Sequence, residues 1–330
     1  MRKELIDSIT ATALAGNSIG REQAILLGAL DREELLYLFQ CTDKVREKFK
    51  GQEVKICSIV NAKAGKCQED CAFCAQSSKF KTDSPEYGLL NADQIVAAAK
   101  EAESFGANEF SIVTAGTSVS DRIELDVLIN AIKRIKAETS LETCCSLGLM
   151  SLEHLKELKA AGLDRFHHNL ETAASHFEKI VTTHTYQDEV QAVKNANEAG
   201  LQVCVGGVFG MGETYAQRVE LAFEIRDMKT QTLPINFLKP LPGTALEGLD
   251  YMDYYEALRT ISLLRLAMPT IDLFVCGGRE EILGQGQELL FAAGANGILG
   301  GNYLTTKGQD PKKDIEMIEK LGLRPVYQAV

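Results

Sequence analysis

Two hydrophobic rhythms divide the chain at about residue 50. Before it, apolar positions recur at helical spacing, with Gly20-Arg21-Glu22 opening one helix and Asp31-Arg32-Glu33-Glu34-Leu35-Leu36 opening another. After Gly51, short β-rich runs alternate with longer amphipathic stretches. The runs cover 54–60, 109–115, 141–147, 165–171, 201–207, 233–238, 271–277 and 297–302, and helical stretches such as 92–105, 152–161, 187–199 and 254–267 lie between them. Strand–helix alternation of this kind, with no internal repeat and no Pro-rich linker, predicts an α/β fold. It is a parallel (β/α)8 barrel of the TIM type over 51–330, preceded by a helical N-terminal extension over 1–50.

Side chains alternate across a strand, so the face opposite the branched residues is the lumen. In Leu201-Gln202-Val203-Cys204-Val205 the branched residues face the helices, which turns Gln202 and Cys204 inward. The same parity turns Glu142, Cys144 and Ser146 inward, with Leu141, Cys145 and Leu147 outward. It also places Lys55, Cys57, Asn61, Asn169, Glu171, Asn236, Phe274 and Cys276 on the inner wall. A lumen this polar is a site and not a sealed core.

Composition narrows the class. Hydrophobic residues make up 45% of 330, enough for a large core, and the mean hydropathy of −0.07 is that of a water-soluble chain. No apolar run reaches the length of a membrane span, and the opening MRKELIDSIT has no signal-peptide stretch, so the expected location is the cytoplasm, with no membrane partner. A net charge of −11, with acids and bases interspersed, argues against a nucleic-acid partner. Nine cysteines are too few and too unevenly placed for a disulfide framework. Three of them, Cys67, Cys71 and Cys74, fall in one short loop, which suggests metal binding.

That loop, Lys66-Cys67-Gln68-Glu69-Asp70-Cys71-Ala72-Phe73-Cys74, follows the first strand, where barrel enzymes place their chemistry. Its C-x3-C-x2-C spacing lets three thiolates ligate three irons of a cubane and leaves the fourth iron open to a substrate. A closed zinc site wants a fourth ligand, normally in a second knuckle, which the sequence lacks. The spacing, with an aromatic before the last cysteine, resembles the radical SAM superfamily. The resemblance implies a [4Fe–4S] cluster that cleaves S-adenosylmethionine (SAM) to methionine and a 5′-deoxyadenosyl radical.

Further strings narrow the resemblance to the biotin synthase family: Ala75-Gln76-Ser77-Ser78, His168-Asn169-Leu170-Glu171-Thr172, Thr182-Thr183-His184-Thr185-Tyr186, Cys204-Val205-Gly206-Gly207, Pro234-Ile235-Asn236 and Gly278-Arg279-Glu280. The similarity runs from about residue 20 to the C-terminus. It implies insertion of one sulfur into dethiobiotin, with two SAM molecules consumed per biotin, a flavodoxin or ferredoxin electron donor, a homodimer, and a sulfur-donating auxiliary cluster deep in the barrel. Acid–base groups cannot activate the unactivated C–H bonds of that substrate, so no residue is expected as a general acid or base.

The resemblance also carries roles onto individual residues. Phe73 would lie near the adenine, or simply anchor the loop. Gly116 closes the second strand where the methionine part of SAM would lie, Asn169 and Glu171 would meet its ribose, and Asn236, with Asn169, would face dethiobiotin. The family usually has Asp where Glu171 stands. The departures are larger at the auxiliary cluster, whose common form is a [2Fe–2S] cluster held by three cysteines and an arginine. Cys144 and Cys204 match two of the cysteines, but Ser111 stands at the third and Phe274 at the arginine. Cys276 and, on the first strand, Cys57 appear on the same inner face. Four thiols on strands one, three, five and seven suit a different cluster, of [4Fe–4S] type or with an extra sulfide. Cys41 and Cys145 are packing residues, and His167, His168 and His184 make local hydrogen bonds. The competing readings are another radical SAM enzyme of the same barrel type, such as a hydrogenase-cluster maturase, and a non-catalytic iron–sulfur carrier.

Overall fold

A computed structural model describes residues 2–326, so Met1 of the segment 1–50 and the last four residues of the segment 51–330 lie outside the described residues. Helices begin where the sequence offers a side-chain cap. Asp31 accepts from the Glu34 amide while Glu34 returns a bond to the Asp31 amide, opening the helix Arg32–Lys50. The pairs Asn91/Gln94, Thr185/Asp188 and Thr214/Gln217 open Ala92–Ser104, Tyr186–Glu198 and Tyr215–Asp227 in the same way.

The strands are β1 (Glu53–Lys63), β2 (Glu109–Thr114), β3 (Glu142–Ser146), β4 (Arg165–His167), β5 (Gln202–Cys204), β6 (Gly207–Phe209), β7 (Thr232–Phe237), β8 (Asp272–Val275), β9 (Gly297–Leu299) and β10 (Arg324–Pro325). All pairings are parallel, and β9 closes the ring against β1 through Lys55↔Gly297, Ile56↔Ile298 and Cys57↔Leu299. β5 and β6 share one place in the ring, so the barrel has the expected eight positions. The run 201–207 differs from expectation in being broken at Val205-Gly206. A Cβ on Gly206 would sit 2.0 Å from the carbonyl oxygen of Pro234, so the chain steps over the proline before pairing again as β6 with Ile235–Phe237. β10 is a short addition to the lower end of β1.

The N-terminal helices share one core with the barrel. Ile6, Ile9, Leu35 and Leu38 are fully buried in the same cluster as Phe110, Phe166 and Leu233. Arg259 ties the extension down by donating to the carbonyls of Gly28 and Leu30, at 2.5 and 2.8 Å.

An ionic chain crosses the N-terminal end of the barrel. Lys50 and Lys55 both meet Asp272, at 2.7 and 3.0 Å. Lys55 continues to Glu109 at 3.2 Å, and Arg165 bridges Glu109 and Glu142 at 2.6 and 3.1 Å. Lys50 ends the helix Arg32–Lys50 and the others lie at or near the starts of β1, β2, β3, β4 and β8, so the chain floors the lumen with alternating charges whose burial is tolerable because each is paired.

Candidate active site

A cavity of about 450 Å³ rises from this floor to the loops beyond the strands' C-terminal ends. Its deep wall carries Cys57, Cys144, Cys204 and Cys276, its middle Asn169, Glu171 and Asn236, and its mouth Cys67, Cys71, Cys74, Phe73 and Gly116. The strand-parity reading thus puts these thiols on one surface, while Cys145 and Cys41 pack in the hydrophobic core.

The cysteine loop is held by backbone and carboxylates. Cys67 N–H donates to Gln76 O, Ser78 N–H to Cys67 O, and Cys74 N–H to Cys71 O, at 3.1, 2.7 and 2.9 Å. Glu69 accepts from the hydroxyls of Thr117 and Thr183, and its carboxylate lies 2.7 Å from His184 Nδ1. Asp70 accepts from the amides of Thr182 and Thr183 and from their hydroxyls; these bonds outweigh burial and hold its carboxyl at about 2. His184 Nε2 reaches Glu189, which also bonds His168. Burial works against a charge on His184, but the two flanking carboxylates prevail and raise it to about 9, so at neutral pH it is an imidazolium clamping loop to barrel. The sequence marks these residues only as family strings; that Glu69 finds His184, 115 positions away, is a tertiary fact.

The donor sets fit iron–sulfur clusters better than a lone ion. Among the described residues, no three thiol, imidazole or carboxylate side chains gather tightly enough to share one metal. A cluster asks instead for one thiolate at each of several irons. Burial, then Glu171 and the neighbouring Cys74 and Cys67, disfavour a thiolate at Cys71, and burial, then Glu109 and the neighbouring Cys144, Cys276 and Cys204, disfavour one at Cys57. Burial pushes the thiols up, Cys74 and Cys144 to about 11 and Cys276 to about 12, so thiolates form here only with a cation to compensate.

The two missing ligand positions have other duties. Ser111 faces Cys144 across the β2–β3 register, where its hydroxyl favours the thiolate. The Phe274 ring packs among Cys276, Leu299 and Ile59, over Gly297, where a Cβ would lie 2.6 Å from it.

Room and unpaired polar atoms mark where small molecules fit. Gly116 has φ +133°, and a Cβ there would meet nothing within 4 Å. Asn169 Oδ1 is buried without a partner among the described residues, while its amide nitrogen donates to Glu171 at 3.4 Å. Glu171 has φ +58°, costly for a residue with a side chain, and its carbonyl accepts from Val208 N–H. Burial, then the nearby Glu189, raises its carboxyl to about 8, which makes it a hydroxyl donor at neutral pH. Asn236 donates to Gly207 O at 3.3 Å and accepts from Gly277 N–H at 3.1 Å, keeping one N–H and one lone pair for a ligand. Phe73 and Cys71 pack against the cluster of Phe177, Val208 and Leu238. Two lumen groups escaped the sequence reading as site residues: Arg165, and His167, whose Nδ1 lies 3.4 Å from Cys204 Sγ. Burial holds His167 down at about 4, so it is neutral.

Comparison with known proteins shows the family. Residues 63–225 match the Radical SAM superfamily, and 234–324 the Biotin and Thiamin Synthesis associated domain. Solved structures of methylornithine synthase (TM-score 0.84, 20% identity, covering 96% of this chain and 97% of that one) and of the FeFe-hydrogenase maturase from Carboxydothermus hydrogenoformans (TM-score 0.83, 17% identity, 100% and 81%) share the fold. In sequence, the chain is 46% identical to the biotin synthase of Citrifermentans bemidjiense over 99% of both chains, and 44% identical to that of Geobacter sulfurreducens over 96% of both. With identity running the length of the barrel, and the three-cysteine loop lying within the matched segment, the chain belongs to the biotin synthase family of radical SAM enzymes.

Proposed function

We propose that the protein converts dethiobiotin to biotin, inserting sulfur between two unactivated carbons. The observation that carries this reading is the presence of two thiol sets in one cavity, three at the mouth and four on the deep wall, with the polar groups of a small-molecule site between them. In the loaded enzyme a [4Fe–4S] cluster with SAM supplies a 5′-deoxyadenosyl radical, and an auxiliary cluster supplies sulfur.

The chain's own residues hold and orient. Cys67, Cys71 and Cys74 are the ligands of the SAM-cleaving cluster. The open space at Gly116 takes the methionine part of SAM, Asn169 Oδ1 and the Glu171 carboxyl take the ribose hydroxyls, and Phe73 takes the adenine. Asn236, with Asn169, presents amide groups to the ureido ring of dethiobiotin. Apolar Val208 and Leu238 line the same cavity and exclude water from a carbon-centred radical. Cys144, Cys204 and Cys276, with Cys57, hold the auxiliary cluster. Ser111 and Phe274 are not among its ligands, so it is of four-iron type or carries an extra sulfide. A flavodoxin or ferredoxin brings the electron, the reaction runs in the cytoplasm, and the enzyme is a homodimer. Among the described residues no helix is long and apolar enough to cross a membrane.

The test is isotopic. Protein reconstituted anaerobically with labelled sulfide should hold about eight irons per chain and place the label in the first biotin formed from dethiobiotin and SAM, read by mass spectrometry. Unlabelled first-turnover biotin, or a [2Fe–2S] auxiliary Mössbauer signal, would overturn the cluster assignment. Absence of biotin alongside normal 5′-deoxyadenosine would overturn the substrate.

A further inference from the structure

One charged donor in the lumen is assigned neither to SAM, to dethiobiotin nor to a cluster iron. Arg165 opens β4 with its side chain inside the barrel, and the residue is 4% exposed. A guanidinium carries five N–H groups in a fixed fork. The terminal nitrogens are engaged: Nη1 donates to Glu109 at 2.6 Å, and Nη2 to Glu142 at 3.1 Å and Gln202 at 3.4 Å. The Nε–H is buried and meets no acceptor among the described residues. Arg259 and Arg279 also leave a buried Nε–H without an acceptor among the described residues, but neither lines the cavity; Arg165 does, and a charged donor sealed from water there calls for an acceptor.

The register says which acceptor is near. Arg165 pairs with Cys144 on β3, and His167, two residues on, pairs with Cys204 on β5. The arginine charge acts on both thiols, favouring the thiolate in each. Arg165 lines the cavity beside them. Glu109 and Glu142 fix the fork from below, so the remaining edge of the guanidinium is oriented before any ligand arrives.

We propose that Arg165 is a cluster-facing donor, its Nε–H bonding a sulfur of the auxiliary cluster and its charge offsetting that of the thiolate-bound iron. This rests on the reading that Cys144, Cys204, Cys276 and Cys57 hold such a cluster. A donor and a positive charge beside the sulfurs stabilise the reduced, more negative cluster. Removing the Nε–H therefore moves the midpoint potential of the auxiliary cluster down, while the loop cluster keeps its own.

The experiment uses the reconstituted protein. Arg165→Lys keeps a cation for Glu109 and removes the Nε–H; redox titration followed by EPR should show the auxiliary midpoint lowered enough to raise the oxidised-to-reduced ratio about tenfold at fixed potential, about 59 mV. Independently, unaltered protein grown with nitrogen-15 arginine should show a nitrogen-15 hyperfine coupling on the reduced auxiliary signal. That coupling should vanish in the labelled Arg165→Lys protein. If the variant does not fold, the coupling in the unaltered protein decides. About eight irons with no coupling, or an unchanged midpoint in the variant, overturns the role of Arg165 alone. About four irons in the unaltered protein removes the auxiliary cluster and the inference with it.

Discussion

His184 ties the cysteine loop to the barrel, and its removal should loosen that loop by a calculable amount. The imidazolium bridges Glu69 and Glu189, each at 2.7 Å, with side-chain exposures of 10%, 12% and 6% for the three. Its proton is held to about 9 against an ordinary 6.5, a difference worth about 3 kcal/mol for the charged form. Counting bonds gives a similar figure, since two charge-assisted hydrogen bonds contribute about 1.5–3 kcal/mol each and the carboxylates keep Thr117, Thr183 and His168 when the ring is gone. His184→Ala should therefore cost about 3 kcal/mol, and His184→Gln, which can keep one bond, about half. The assay is anaerobic urea denaturation of iron-free protein at pH 7, with iron retention by the reconstituted loop cluster measured alongside. The pH dependence has a definite sign. A group whose pKa is raised by folding contributes fully below its unfolded value and loses that contribution as pH rises through the folded one. The His184 contribution is thus complete below about pH 6.5 and gone above about 9. Glu171, raised to about 8, also loses stability with rising pH, but from about pH 4.5 upward, and that decline should survive in His184→Gln. Equal midpoints for His184→Ala and the unaltered protein at pH 7 would refute the clamp.

Cys71→Ala should abolish 5′-deoxyadenosine formation, because two thiolates cannot hold the loop cubane; a normal yield would remove the loop from the chemistry. Cys204→Ala and Cys276→Ala should still form 5′-deoxyadenosine while making little biotin, and parallel loss of both products would mean those thiols serve folding. Gly297→Ala should destabilise the barrel by about 1–3 kcal/mol, since its Cβ would lie 2.6 Å from the Phe274 ring. Phe274→Leu should recover part of that loss in a double-mutant cycle, and strictly additive effects would show that the two positions do not meet.

The barrel and the lining of its lumen were legible because both follow from local periodicity. Alternation on one strand was enough to separate Cys144, on the cavity wall, from Cys145, in the core. The three-cysteine loop was legible because its ligands are neighbours in sequence. What escaped depends on partners far apart in the chain. Arg165 reads as an ordinary strand-opening residue until Glu109, 56 positions earlier, is seen beside it. The break in the fifth strand is caused by Pro234 on the neighbouring strand, which no window around Gly206 contains. Asn236 carries a mixed lesson: parity puts it in the cavity, yet only the folded chain reveals that backbone already takes half its hydrogen-bonding capacity.

The ionic floor has a kinetic consequence. Lys55, Glu109 and Arg165 are ion-paired across the N-terminal end of the barrel, and the cavity that carries the deep thiols runs from there to the loops at the other end. On the proposal that those thiols hold the sulfur donor, whatever restores sulfur at that depth shares the passage taken by SAM and dethiobiotin, past the loop clamped by His184. Turnover and repair then compete for one doorway, and an enzyme with substrate seated is closed to its own refilling. Saturating dethiobiotin should accordingly protect the deep site from chelators and, by the same occlusion, delay its reconstruction.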